Sequence, residues 1–258
     1  MISVCMTTYN GELYLKEQIE SILQNLSKQD ELIISDDGSS DGTLSIIKSF
    51  ADERIKLFHH NKNNCSYRFK YSYTTANVSN ALSFAKGDVI FLADQDDVWT
   101  KDKVSKMLPL LEQYDLVLSD CYNVDSKLQI LYNSHFELTN TSTSIIKNIY
   151  KSSFLGCCMC FKRGLLTKIL PIPVNTPHDL WIGCIVAYFG TIGLLHDKTL
   201  LYRRHDNNVS STNKKLITKQ NDGAVELNKN TNSTLFKLTY RFIFLKEFLK
   251  RCITYQKK

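Results

Sequence analysis

No stretch of this sequence reaches the roughly 18 uninterrupted apolar residues that a bilayer-spanning helix needs, so no transmembrane span is expected. The opening residues Met1-Ile2-Ser3-Val4-Cys5-Met6 lack a basic segment followed by an apolar one, and nothing there marks the chain for export. The eight cysteines are therefore read as reduced thiols of a cytoplasmic chain. No paired Cys/His knuckle follows Cys157, Cys158 and Cys160, which favours a packed strand with small apolar thiols over a metal site. A groove-reading nucleic-acid motif is also missing, so the formal net charge of +6 points instead to an anionic ligand or surface, such as a nucleotide or an acidic lipid.

What is present is the composition of a globular chain. Hydrophobic content of 43% and aromatic content of 11% over 258 residues allow one domain or one and a half with a large core. The sequence is organised around Phe91-Leu92-Ala93-Asp94-Gln95-Asp96-Asp97-Val98-Trp99. The apolar run Val89 to Ala93 reads as a strand buried on both faces, and it empties into three carboxylates within four residues. Asp is depleted in strands and rarely buried without a partner, so this cluster calls for a cation. An acidic turn with an N-cap would account for a lone Asp-Asp pair. A second Asp pair upstream and the rigid apolar plate of Trp99 shift the reading toward a site.

Ile2 to Met6 reads as an opening strand, followed by the polar turn Thr7-Thr8-Tyr9-Asn10-Gly11. Leu15, Ile19, Ile22, Leu23 and Leu26 then keep the spacing of one buried helical face. Glu31 to Ser35 is a second strand that ends in Asp36-Asp37-Gly38-Ser39-Ser40-Asp41-Gly42; a helix through Leu44, Ile47 and Phe50 and a third strand, Ile55 to Phe58, come next. This alternation predicts parallel crossovers and an open twisted, mostly parallel sheet with helices on both faces. His59 to Thr75 carries no readable pattern, Asn80 to Ala85 is helical, and Lys101 to Gln113 reads as a helix before the strand Leu116 to Ser119. Such sheets bind ligands outside the carboxyl ends of their strands, so Thr7 to Asn10, Asp36-Asp37 and Asp94 to Asp97 should converge.

In the second half, Leu155 to Phe161 reads as a small-residue strand and Gly164 to Leu170 as a short helix closed by Pro171 and Pro173. Pro177-His178-Asp179 opens a strongly apolar helix, with Asp179 in its first turn as a good helix-start residue in any case. Ile192 to Leu195 and Leu200 to Arg203 read as two late strands, leading to Arg203-Arg204-His205-Asp206-Asn207-Asn208, where two arginines make a phosphate-facing loop. A polar linker precedes a C-terminal helix in which Leu235, Leu238, Phe242, Leu245 and Leu249 keep a seven-residue repeat among Lys237, Arg241, Lys246, Lys250 and Arg251. That helix has three destinations: an anionic membrane, which the basic Gln256-Lys257-Lys258 end favours, its own domain, or another copy in a homodimer.

The ordered set Thr7-Thr8-Tyr9-Asn10, Asp36 to Thr43, Ala85-Lys86-Gly87-Asp88, Asp94 to Trp99 and His178-Asp179 resembles glycosyltransferase family 2, inverting nucleotide-sugar enzymes of the A-type, Rossmann-like fold. The resemblance covers residues 1 to about 210 and implies a catalytic domain there, with a nucleotide-sugar half at 1–120, an acceptor half at 121–210, and a linker plus basic helix at 211–258. Asp94-Gln95-Asp96-Asp97-Val98-Trp99, Gly156-Cys157-Cys158, Pro177-His178-Asp179 and Tyr202 to Ser210 look most like the rhamnosyltransferase-type members, which build bacterial cell-surface polysaccharides from dTDP-L-rhamnose. The resemblance implies that Thr7 and Tyr9 border the nucleoside and Asp37 bonds the pyrimidine. It gives Asp94 the ribose or the metal shell, Asp96 a Mn²⁺ or Mg²⁺ ion on the diphosphate, and His205 the metal or diphosphate. Asp179 is the implied catalytic base, while Asp97, Trp99, His178 and Trp181 shape the pocket. The glycine-bearing loop usual before Asn80 is missing from Asn64 to Thr75, where Arg68 is the candidate phosphate contact.

The residue types suit this chemistry independently. Hard carboxylate oxygens suit Mg²⁺ or Mn²⁺ rather than zinc, and a cation offsets the charge of a departing diphosphate. An acceptor hydroxyl, here expected on a lipid-linked saccharide at the inner face of the cell membrane, needs a carboxylate to take its proton. Alternatives are a UDP-hexose or UDP-N-acetylhexosamine donor, and a nucleotide-sugar-binding module without turnover. A sugar nucleotidyltransferase is disfavoured because Thr7 to Gly11 has one Gly and no Lys or Arg to hold a triphosphate.

Overall fold

The computed structural model describes residues 1–61, 67, 69–205 and 234–256. Nine strands join in one mixed sheet: β1 (Ile2–Thr8), β2 (Glu31–Asp36), β3 (Ile55–His59), β4 (Val89–Asp94), β5 (Val98–Trp99), β6 (Leu116–Val124), β7 (Ile130–Tyr132), β8 (Met159–Lys162) and β9 (Ile192–Arg203). Their order is β3-β2-β1-β4-β8-β6-β9-β5, with β7 against β6. The first four are parallel, as the sequence predicts, because helices α1 (Leu15–Leu23), α2 (Thr43–Ser49) and α3 (Lys70–Ser83) return the chain to the same end. The second half is mixed: β8 runs antiparallel to both β4 and β6, and β5 antiparallel to β9. β4 lies mid-sheet and β5 at the far edge, yet only residues 95–97 join them. The sheet therefore curls back until β5 packs on α1, where Trp99 N donates to Ser21 Oγ at 3.0 Å.

The core follows from the apolar pattern. Val4, Met6, Leu32, Ile33, Ile34, Ile90 and Phe91 are fully buried, and Leu15, Ile19 and Ile22 of α1 close one face of the sheet. Helix α3 starts ten residues before the helical stretch legible in the sequence, because its first turns bury Ser72, Thr75 and Asn77 rather than an apolar stripe. Asn77 is held by a reciprocal pair with Ser35: its amide donates to Ser35 O at 2.9 Å, and Ser35 Oγ donates back at 2.6 Å.

Three other elements differ from the sequence reading. The helix expected over Lys101 to Gln113 is α4 (Lys103–Met107) followed by a 3₁₀ turn, Leu108–Glu112, since Pro109 has no N–H for the helical ladder. The expected strand Leu155 to Phe161 begins as a 3₁₀ turn at Gly156–Cys158. The two late strands are one, β9, whose register on β6 slips between Leu195 and Lys198 and so absorbs the exposed polar residues His196 and Asp197.

Helices α5 (His135–Thr139), α6 (Ile145–Tyr150), α7 (Leu166–Ile169) and α8 (His178–Phe189) complete the second half, and α9 (Thr234–Gln256) covers α8. Phe244, Phe248 and Cys252 of α9 are buried, and Phe244 meets Trp181 edge-on at 6.1 Å. The Arg251 guanidinium donates to the carbonyls of Lys168, Leu170 and Pro171, the frayed end of α7. Among the described residues no helix is long and apolar enough to cross a membrane.

Gly87 marks a close backbone approach. A Cβ there would lie 2.5 Å from Ser3 N, 2.7 Å from Ile2 C and 2.8 Å from Met1 O, all main-chain atoms that cannot rotate away. Gly87→Ala should therefore cost about 1–3 kcal/mol of stability, measured by urea unfolding, through displacement of β1.

Candidate active site

The carboxyl ends of the parallel strands meet in register: Thr7 lies beside Asp94, Thr8 beside Asp36, and Asp36 beside His59. The two members of the Asp36-Asp37 pair have different surroundings. Asp36 is fully buried and accepts from Thr8 Oγ1, Gly38 N, Ser39 N and Ser39 Oγ, which closes the turn that Gly38 makes at φ 78°. Asp37 is also buried and meets His60 Nδ1 at 2.8 Å through Oδ1. His60 sits one residue past β3 in a stretch without pattern, so no sequence signal marked it.

The turn between β4 and β5 is held from three sides. Gln18 Nε2 of α1 donates to Asp94 O at 2.6 Å. Gln95 bridges both polar atoms of the Tyr9 backbone, accepting from its N at 2.8 Å and donating to its O at 3.1 Å. Arg203, at the end of β9, donates through Nε to Asp96 O at 2.7 Å, and its backbone N donates to Asp97 Oδ1 at 3.0 Å. The same guanidinium reaches Ser126 O and Glu17 Oε2 and lies 4.5 Å over the Tyr14 ring. The sequence reading turned Arg203 and Arg204 toward a phosphate; instead both are buried, Arg204 against Tyr202.

The side chains of the turn diverge. Asp96 Oδ2 meets His205 Nε2 at 2.8 Å, both groups about 15% exposed, and the His205 ring packs 4.9 Å from Tyr14. Asp94 is half-buried, and desolvation together with the negative charges of Asp96 and Asp179 pushes its carboxyl up to about 7. Asp97 is fully buried; burial and the charges of Asp96 and Asp94 raise it well above the usual range, and its Oδ2 has no hydrogen-bond partner among the described residues. Ligating atoms of Asp94, Asp97 and Cys157 fall within 4.8 Å of one another, but a thiol is too soft for the hard cations that carboxylates prefer. Asp96 and His205 offer a carboxylate oxygen and a ring nitrogen side by side, a donor pair of the type that holds divalent cations.

Asp179 is brought to this cluster from far along the chain. The Gly156–Cys158 turn packs under the first turn of α8: a Cβ on Gly156 would lie 2.8 Å from His178 Nε2 and 3.8 Å from Asp179 Cβ. Asp179 Oδ1 accepts from Leu180 N at 2.7 Å, which orients the carboxylate at the positive end of α8. Burial lowers the His178 pKa, so the ring is neutral beside it.

Other expected members are placed elsewhere. Trp99 is buried in the core between Phe91 at 5.6 Å and the Lys103 ammonium at 5.0 Å, so it is not a cleft wall. Trp181 is fully buried, with its indole N–H on Ile169 O at 2.9 Å, and supports α8 from below. Asp97 likewise faces the interior rather than the pocket. Thr7 is nearly buried and Tyr9 is half-exposed at the rim. Arg68 lies outside the described residues.

Arg203 carries the mouth of the site. Arg203→Ala would strand the groups it holds and should cost about 3 kcal/mol in urea unfolding. Glu17→Gln, on a side chain 49% exposed, should cost less than ~1 kcal/mol in the same measurement.

Known proteins resemble this chain in sequence and in fold. The glycosyl transferase family 2 model matches residues 3–170. An Escherichia coli protein, UDP-Glc:alpha-D-GlcNAc-diphosphoundecaprenol beta-1,3-glucosyltransferase WfgD, is 23% identical over 86% of this chain and 84% of its own. The dTDP-rhamnosyl transferase RfbG of Shigella flexneri is 26% identical over 81% of this chain and 74% of its own. The crystal structure of S. aureus TarS 1-349 in complex with UDP-GlcNAc superposes with a TM-score of 0.64 at 19% identity, over 98% of this chain and 72% of that one. That superposition establishes the fold, the curled mixed sheet of A-type glycosyltransferases. With the family model covering most of the sheet and all of the turn from Asp94 to Trp99, this chain belongs to glycosyl transferase family 2.

Proposed function

We propose that this glycosyltransferase moves a sugar from a nucleoside-diphosphate donor to a hydroxyl of a lipid-linked saccharide during bacterial cell-surface polysaccharide synthesis, inverting the anomeric carbon. The observation that carries this reading is the Asp96–His205 pair beside Asp94 and Asp179, on the sheet edge where β1, β2 and β4 end. The donor we assign is dTDP-L-rhamnose, on the likeness of the Asp94 to Trp99 and Tyr202 to His205 stretches to rhamnosyltransferase-type sequences. A UDP-sugar is the second reading, favoured by the glucosyltransferase relative.

The residues divide the work. Asp37, braced by His60, faces the pyrimidine, and Thr7 and Tyr9 border the nucleoside. Asp96 and His205 would hold Mn²⁺ or Mg²⁺, which when bound supplies positive charge against the departing diphosphate. Asp94 lies behind them toward the ribose. Asp179, with one oxygen fixed on Leu180 N, has the other to take the acceptor proton as the new bond forms. Attack from the face opposite the nucleotide converts a β-L-rhamnosyl donor into an α-linkage, and one base suffices. His178 borders the acceptor, and the reaction takes place at the inner face of the cell membrane.

Two measurements test this. In thermal-shift titrations against dTDP-, UDP- and GDP-sugars with and without Mn²⁺, dTDP-rhamnose should raise the melting temperature only with metal, since a ligand at about 100 times its Kd adds roughly 2.7 kcal/mol. A shift with a UDP-sugar alone would replace the donor and leave the enzyme class standing. Asp179→Asn should lower transfer by about 10²-fold or more while the metal-dependent shift stays, and loss of both would remove Asp179 from the base role.

A further inference from the structure

Helix α9 has two apolar faces, and its own domain covers one. Phe244, Phe248 and Cys252 point inward onto α8. Phe242, Leu245, Leu249 and Ile253 are 71%, 38%, 56% and 52% exposed. Their spacing of three, four and four residues places them in one stripe, turned by about 100° around the helix from the buried residues. Phe242, Leu245 and Leu249 of the heptad legible in the sequence thus face outward, and the helix docks through other positions, Phe244, Phe248 and Cys252. At the start of the helix the Arg241 guanidinium lies 4.8 Å over the ring of Tyr150, which is 72% exposed, and Ile146, one turn earlier on α6, is 81% exposed. The exposed apolar residues of α9 form a surface stripe of the kind that marks an interaction site.

Charge decides what covers it. Lys246 and Lys250 are exposed and border the stripe along one side, and Glu247 is the one acidic residue in Thr234–Gln256. Two copies joined along this seam would set lysines facing like charge, which weakens pairing of the helix with itself. An anionic bilayer surface meets the same features with complementary charge: the apolar side chains enter below the headgroups while lysine stems lie along them and lift their ammonium groups to phosphate. We propose that the outward stripe Phe242, Leu245, Leu249 and Ile253, with Lys246 and Lys250, docks this enzyme on an anionic lipid surface. The proposal rests on the lipid-linked acceptor for its purpose, and its test needs neither acceptor nor turnover.

The full chain is floated with phosphatidylcholine vesicles that contain phosphatidylglycerol, and with phosphatidylcholine vesicles alone. The expected result is flotation with the anionic vesicles only, weakened by added salt. Leu249→Glu and the pair Lys246→Glu and Lys250→Glu should each reduce the bound fraction by about tenfold. Ile130→Glu, on an apolar residue 53% exposed on β7, should leave it unchanged. Thermal melts and the nucleotide-sugar shift, run on every variant, establish that each is folded, so a failed donor reading and a failed membrane reading are told apart. A wild-type chain that stays down with anionic vesicles while it binds donor would overturn the proposal. So would a Leu249→Glu variant that floats like wild type, or a dimer by light scattering that Leu249→Glu converts to monomer, which would assign the stripe to a second copy.

Discussion

The structure depends on a connection that is too short for its task unless the sheet curls. Residues 95–97 carry the chain from mid-sheet β4 to edge strand β5, and this brings α1, β1 and the end of β9 around one turn. Gln18, Gln95 and Arg203 then fasten that turn to each of the three. Gln18 and the Arg203 guanidinium hold main-chain oxygens of the turn, so the carboxylates of Asp94 and Asp96 are positioned through the backbone. A site built this way is preorganised without its ligand, as catalysis by fixed charges requires.

The same turn separates four carboxylates that would otherwise repel one another. Surroundings sort them: Asp97 is fully buried and held well above the usual carboxylate range, Asp94 is half-buried and pushed up to about 7, and Asp96 meets a histidine. Asp179 arrives on a different element, at the N-terminus of α8, where backbone N–H groups favour its charge. In the reaction we propose, one carboxylate faces the departing diphosphate and another the incoming hydroxyl. They need different surroundings, and the fold draws them from opposite halves of the chain.

Arg203 shows why a residue type does not declare its role. In sequence it stands next to Arg204 and His205 and reads as part of a phosphate-facing loop. Buried beside Asp96 O, Ser126 O, Glu17 and Tyr14, it is a strut, and it is the His205 ring that meets the Asp96 carboxylate. Trp99 and Trp181 follow the same logic: large apolar plates near a motif are more useful to the core beneath it than to the cleft above.

What the sequence determined by itself is whatever local period and local chemistry specify. Alternating apolar runs and helical stripes from Ile2 to Phe58 predict parallel crossovers, and acids at strand ends predict their convergence, because strand direction alone sends them to one edge. The mixed second half, the start of α3 and the single long β9 were illegible, since buried Ser72, Thr75 and Asn77 and the register slip at His196 and Asp197 leave no apolar period. Only the tertiary structure decided that Asp37 meets His60, that Arg203 braces Asp96, and that Phe242, Leu245 and Leu249 of the last helix face outward. Each of these depends on what is packed across from a residue, and a helix with two apolar faces does not reveal in its own sequence which of them the domain will cover.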